Sequence, residues 1–363
     1  MGAADTLAGM HFPRISPILS RFVLLAWALA LGGFLAPAPA NAQQYQPPNQ
    51  DNDSFADAAS THDDLGAPKR KHPGWLFHRA KKDTPEAQYA YAEKQLAKGN
   101  VRKAAKAFNA LVHRWHDAPE AARAQRMFAD LLVRRGKAEQ AFEEYQYLMR
   151  YFAGTFPYQD TLETQFKLAN AVRTERHADI LFLPGFEDPG RAVPLYEQLV
   201  SNGPNWERAP EAQFNVGAIQ EATGEPELAV VSYETLLLRY SRSDLAMEAA
   251  YRRAHTLYIL SKKSARDEDQ CREALSALLG FLRNHPEDSH AEEAKTLAEE
   301  LKQRLADMYF DRAIFYDKIA KKPKSAIIAY SDFANKFPTS DRRVIADERV
   351  AALQLQVERT HEN

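Results

Sequence analysis

The chain has 363 residues, of which 45% are apolar and 26% charged, so wholesale disorder is excluded. Lys and Arg number 47 against 49 Asp and Glu, which argues against a strongly basic nucleic-acid binder. The single cysteine, Cys271, excludes an intramolecular disulfide framework and a cysteine-rich zinc site. Glycine is scarce for a fold built on phosphate-cradling loops, and abundant Ala, Leu, Glu, Arg and Gln lean the composition toward helix.

Residues 22–36, FVLLAWALALGGFLA, form an apolar run of signal-peptide length, short for a membrane span. Arg14 and Arg21 precede it, and Ala40-Asn41-Ala42 supplies a small-x-small cleavage site behind Pro37 and Pro39. The pattern predicts a cleavable signal peptide over 1–42 and an exported chain starting at Gln43. An uncleaved anchor is the rival reading. Residues 43–82 read as a disordered linker, acidic and then basic. Its first part, 43–68, carries five aspartates and no Lys or Arg. Its second part, 69–82, sets six Lys and Arg around Trp75, Leu76 and Phe77. That stretch is either a solvated hinge whose aromatics dock on the first helices, or a salt-sensitive site for anionic envelope partners.

From Thr84 onward apolar residues recur with helical spacing and β-branched residues are sparse. One unit then repeats. Ala92, Gly99, Ala104, Phe108 and Leu111 form the first copy; Ala129, Gly136, Ala141, Tyr145 and Leu148 the second; Gly217, Gly224, Ala229, Tyr233 and Leu236 a third. The steps are identical in all three and match the small–Gly–Ala–aromatic spacing of the tetratricopeptide repeat. Looser units carry their second-helix alanines at Ala192, Ala274 and Ala326. Their first helices fall at about 160–176, 244–260 and 288–319, the last either long or split near 304. Loops are expected at 177–188 and 261–268. The fold expected over 84–359 is all-α, a tetratricopeptide-repeat superhelix, or α-solenoid, of five to six degenerate hairpins. A generic helical bundle is the plain alternative.

In this repeat type the first helices line the concave face. Counting from the small residue puts Tyr89 and Glu93 of repeat 1 there, with Arg123, Arg126, Asp130 and Arg134 of repeat 2 and Phe166, Asn170 and Arg173 of repeat 3. An arginine-rich groove flanked by aromatics suits an extended peptide with a free carboxylate. A solvated charged face is the alternative.

No catalytic residue, cofactor site or metal site is nominated. GxSxG, GxxxxGK and HExxH motifs are absent. His113 and His116, with Asp117, read as a surface pair on a helix, His285 and His290 as loop residues, and Cys271 as a buried thiol.

The chain resembles the outer-membrane protein assembly factor BamD and its relatives. The resemblance rests on Ala90-Tyr91-Ala92, Gly99-Asn100, Ala104-Ala105 and Phe108-Asn109-Ala110-Leu111. It rests further on Tyr233-Glu234-Thr235-Leu236 with Tyr240-Ser241, and on Ala326-Ile327-Ile328-Ala329-Tyr330 with Phe337-Pro338-Thr339-Ser340. It spans 84–359 and implies a periplasmic scaffold without a cofactor. Such scaffolds receive unfolded outer-membrane proteins on amino-terminal repeats and bind the barrel insertase through carboxy-terminal ones. Members are lipoproteins, with Cys directly after the cleavage site, where this chain has Gln43. Membrane association is therefore expected to be weak or indirect. The alternative is an envelope coordinator or regulatory subunit acting on peptidoglycan machinery.

Overall fold

The structure, a computed structural model, describes Lys71 and residues 79–175, 187–264 and 266–362. All of them fall within the compact unit Ser60–Asn363. The expected signal peptide, most of the expected linker and residues 177–186 of the expected loop lie outside the described residues.

The described residues form helices in consecutive hairpins and contain no β-strand. Hairpin 1 joins α1 (Pro85–Ala97) to α2 (Val101–Arg114), and hairpin 2 joins α3 (Ala121–Arg134) to α4 (Ala138–Tyr151). Hairpin 3 joins α5 (Tyr158–Arg173) to α6 (Val193–Asn202), which a 3₁₀ turn, Pro189–Ala192, precedes. Hairpin 4 is α7 (Ala209–Ala222) with α8 (Pro226–Arg239), and hairpin 5 is α9 (Ala246–Lys263) with α10 (Glu268–Asn284). Hairpin 6 joins α11 (Ala291–Ile314), extended by a π-turn over Phe315–Ile319, to α12 (Pro323–Lys336). A terminal helix, α13 (Arg343–Glu362), packs on α12. Contacts run mainly between helices that are neighbours in sequence, the one-dimensional pattern of a solenoid.

Each hairpin closes where small residues meet. Ala92, Ala104, Ala129, Ala141 and Ala229 are fully buried. At Gly217 the approach is closer still, since a Cβ there would lie 2.8 Å from the Tyr233 ring. The aromatics four residues after the second-helix alanine fill the space beside these notches: Phe108 and Tyr233 are fully buried and Tyr145 nearly so. Burying one such side chain contributes about 2–3 kcal/mol. Gly99, Gly136 and Gly224 end their first helices at φ of 74°, 66° and 83°. The last hairpin has Lys321 in the same left-handed conformation, at φ 50°.

One boundary differs from the sequence reading, and one open alternative is decided. The expected loop at 261–268 loses residues to both helices, because α9 runs on through Lys263 and α10 begins at Glu268. Ser261 is buried and accepts from Arg304 at 2.6 Å, which holds that turn in the helix, while Asp267 caps α10 by accepting from the Asp269 and Gln270 amides. Of the two readings for the helix at 288–319, the long one holds: it is unbroken at 304. Its Ala294, Ala298, Leu301 and Leu305 join the core of hairpin 5, and its Ala306, Tyr309, Phe310 and Ala313 join that of α12 and α13. One helix thus bridges two cores.

The π-turn sets Asp317 against the terminal helix. Arg349 donates to both carboxylate oxygens at 2.7 and 2.8 Å, and Tyr330 Oη donates at 3.3 Å. The Arg349 guanidinium holds the Asp317 carboxyl below the usual carboxylate range. Its stabilisation is therefore present above about pH 4 and is lost as pH falls through the depressed value.

Two outcomes are expected. Gly217→Ala should destabilise the chain by about 1–3 kcal/mol through overpacking, and Lys321→Gly should stabilise it by about 1 kcal/mol. Urea unfolding of both variants checks the signs. Amide exchange in α13 should quicken relative to α7 and α8 below about pH 3.5, and Asp317→Asn should produce the same quickening at neutral pH. Uniform exchange across the helices would contradict this role of Asp317.

Candidate functional site

The first helices carry a recurring arrangement in which an aromatic ring is covered by a cationic or imidazole group from the start of the next first helix. Arg123 of α3 lies over the Tyr89 ring of α1 at 5.0 Å. Arg208, just before α7, lies over the Phe166 ring of α5 at 3.8 Å. His290, just before α11, stacks on Tyr251 of α9 at 4.0 Å, and Arg342, just before α13, lies over Phe310 of α11 at 5.2 Å. Each pair ties one hairpin to the next. At exposed sites such contacts contribute about 0.5–1 kcal/mol apiece.

The residues expected in the groove divide into three groups. Tyr89, half-buried against Phe108, meets Arg123, while Glu93 is exposed and acts electrostatically on Tyr89. Asp130 accepts a hydrogen bond from Tyr145 Oη, and Arg126 lies within electrostatic reach of the same phenol. Burial first, and then the Asp130 bond, drives the Tyr145 pKa up. Arg134 is exposed at the end of α3. In repeat 3, Asn170 accepts from Tyr196 Oη at 2.6 Å, and Arg173 donates to Asn215 Oδ1 at 3.1 Å. Burial pushes Tyr196 up to about 12.

Phe166 departs from expectation. It is 0% exposed, packed on Tyr196 and Trp206, and cannot present its ring to a ligand. The group over it is Arg208, held by Glu163 at 2.8 Å and Glu211 at 2.9 Å. The surface at repeat 3 is therefore an ion-pair network rather than an aromatic one.

His116 also departs from the sequence reading. Helix α2 ends at Arg114, so His113 and His116 do not form a pair on one helix. His116 instead stacks on Phe152 at 4.8 Å and meets the edges of Tyr147 and Tyr151. Cys271 is buried, with Sγ 3.6 Å from the Leu301 carbonyl, and burial raises its pKa. Among the described residues no group of three or more His, Cys, Asp or Glu is placed to hold a metal.

Residues 79–150 match a tetratricopeptide-repeat family model, and residues 186–360 match the model YfiO, described as an outer membrane lipoprotein. The described hairpins have the tetratricopeptide-repeat fold. The chain resembles the outer membrane lipoprotein family. No curated protein sequence matches it. Solved structures similar to it include YrrB, titled a TPR protein with an unusual peptide-binding site. That pair shares 15% identity over 60% of this chain and 94% of the other, with a TM-score of 0.28. Another is a tetratricopeptide repeat protein from Parabacteroides merdae, at 12% identity over 74% of this chain and 98% of that one, with a TM-score of 0.25. A third is the carboxy-terminal part of a TPR repeat-containing protein from Cytophaga hutchinsonii. It shares 14% identity over 71% and 98% of the two chains, with a TM-score of 0.27.

Within these hairpins a buried glutamine ladder is the feature the sequence reading missed. Gln88, Gln125, Gln165 and Gln213, one on each of four first helices, are all buried. Each donates through Nε2 to a second-helix carbonyl: Ala107 at 2.9 Å, Glu144 at 2.8 Å, Phe142 at 3.4 Å and Ser232 at 3.0 Å. The signal was present in the sequence as Gln four residues before Ala92, Ala129, Ala169 and Gly217. The amide oxygen is the variable pole. In repeat 1 it accepts from the Lys81 and Lys82 amides, and in repeat 2 from Lys71. Removing the donor, as in Gln213→Leu, deletes a second bond to the Ser232 carbonyl, which keeps its own helical bond, and should cost about 0.5–1.5 kcal/mol. Urea unfolding of that variant would contradict the role if the midpoint did not move.

Proposed function

We propose that this chain is an envelope scaffold that receives extended polypeptide on its first-helix face and serves the assembly of outer-membrane β-barrel proteins. The observation that carries the reading is the match of residues 186–360 to the outer membrane lipoprotein family, in a chain whose remaining hairpins are tetratricopeptide repeats. The division of labour follows the same resemblance. The amino-terminal hairpins offer Arg123, Arg126 and Arg134 along one helix, which suits a peptide carboxylate. The carboxy-terminal hairpins leave large apolar side chains in water: Ile319 is 69% exposed, Ile328 71% and Val344 65%, with Ile345 beside it. A docking surface for a folded partner domain has that composition.

Among the described residues no helix is long and apolar enough to cross a membrane. With Gln43 where lipoproteins carry their lipidated cysteine, the reading places the chain at the periplasmic side of the outer membrane through protein contacts. The export signal expected over 1–42 fits the same compartment.

Affinity capture from native envelope, read by mass spectrometry, tests the proposal. It should recover barrel proteins or the insertase, and the triple variant Arg123→Ala, Arg126→Ala, Arg134→Ala should lose about tenfold in affinity for a carboxylate-ended barrel peptide. Recovery of peptidoglycan-processing enzymes without any barrel protein would contradict it.

A further inference from the structure

Lys71 is set among α2, α3 and α4 in surroundings built for an ammonium group. Its Nζ donates to Asn109 Oδ1 at 2.9 Å, Gln125 Oε1 at 3.0 Å and Glu144 Oε2 at 2.6 Å. An ammonium has three N–H donors and no acceptor, so every donor is used. The Phe128 and Tyr147 rings lie 4.8 and 5.0 Å from the charge. The Lys71 backbone amide donates to Tyr147 Oη at 2.8 Å, so main chain and side chain are both held. The side chain is 10% exposed. Burial lowers its pKa, and the Glu144 carboxylate works against that shift.

The pocket is organised by its own walls. Gln125 Nε2 donates to the Glu144 carbonyl at 2.8 Å and to Glu144 Oε2 at 2.7 Å, which aims the carboxylate. The acid is peculiar to this repeat. The third residue after the second-helix alanine is Ala107, Glu144, Leu195, Ser232, Ala277 and Ala329 along the array. Five units fold without a charge there, so packing does not demand one. At about 100° per residue, Gln125 and Phe128 lie on the opposite side of α3 from Arg123, Arg126 and Asp130. The pocket is therefore a surface separate from the arginine-lined groove. A guanidinium, with its planar fork, cannot place single donors on these three converging acceptors.

We propose that this pocket is a lysine-recognition site for extended basic segments, that Lys71 is its resident ligand, and that a lysine from another polypeptide can replace it. The segment before the repeats is held a second time where it enters α1. Gln88 Oε1 accepts from the Lys81 and Lys82 amides, and Arg114 donates to the Lys82 carbonyl. Two successive glutamine oxygens thus read two points of one segment. Tethered in cis, Lys71 faces the pocket at an effective concentration on the order of millimolar and masks it from outside ligands. The proposal deepens the protein-binding reading by naming a side chain that the amino-terminal repeats accept. It rests on that reading only for the incoming partner.

The test is fluorescence anisotropy with a labelled peptide of residues 67–82, and with the same peptide carrying norleucine for Lys71. The proteins are the full chain, Lys71→Ala, Lys71→Met, and Lys71→Ala with Glu144→Gln, each checked for helicity by circular dichroism. Both single variants should bind the lysine peptide about tenfold or more tightly than the unaltered chain, because the cis ligand is gone. The norleucine peptide, and the variant lacking the Glu144 charge, should lose that gain. Equal binding of both peptides, or no binding to either single variant, would overturn the site. Neither result depends on which envelope proteins the scaffold captures, so this failure and that of the assembly reading are distinguishable.

Discussion

The close approach of two helices at small side chains is the contact on which the rest of this molecule depends. Ala92 against hairpin 1, Ala129 and Ala141 in hairpin 2, and Gly217 under Tyr233 in hairpin 4 let backbones come near enough for one large aromatic to fill the remaining space. That geometry leaves one apolar face per hairpin unsatisfied, and the next hairpin covers it. The covering is reinforced at the edges by charge. Arg123 on Tyr89, Arg208 on Phe166 and Arg342 on Phe310 place cations over rings of the preceding first helix. The same side chains that join the units also set the electrostatics of the surface they form.

Polar groups inside the array are placed by the same logic. A buried glutamine in each of four first helices satisfies a second-helix carbonyl and turns its amide oxygen toward whatever lies beyond. Second-helix tyrosines donate back to Asp130, Asn170, Glu221 and Asp317. Most of these bonds join the two helices of one hairpin, while Gln165 ties hairpin 3 to hairpin 2; an unpaired buried donor or acceptor costs about 1–3 kcal/mol. In the proposed reading, function resides in what varies from unit to unit: the arginines of α3, the exposed apolar residues of α11 to α13, and the single acid at Glu144.

The strict units were legible in the sequence because each of their five marker positions is a direct packing contact, so selection for the contact is selection for the residue type. The loose units were harder. Repeat 3 carries Arg176 at the sequence position where the strict units have their glycine, and Phe166 reads as a surface residue although Arg208, from a distant loop, closes over it. The charged run after residue 260 read as loop, yet Ser261 is buried by Arg304 of α11, a long-range contact that local composition does not encode. Lys71 was invisible as a site because three of its partners come from three different helices. The glutamine ladder, by contrast, lay in plain periodicity.

Stability passes from hairpin to hairpin through small-residue contacts, with no single core shared by all the described helices. Amide hydrogen exchange on an Ala129→Leu variant tests it most directly. The account predicts protection lost in α3 and α4, weakened in α2 and α5, and unchanged from α9 to α13. Loss spread evenly over every helix, or none in α3 and α4, would contradict it.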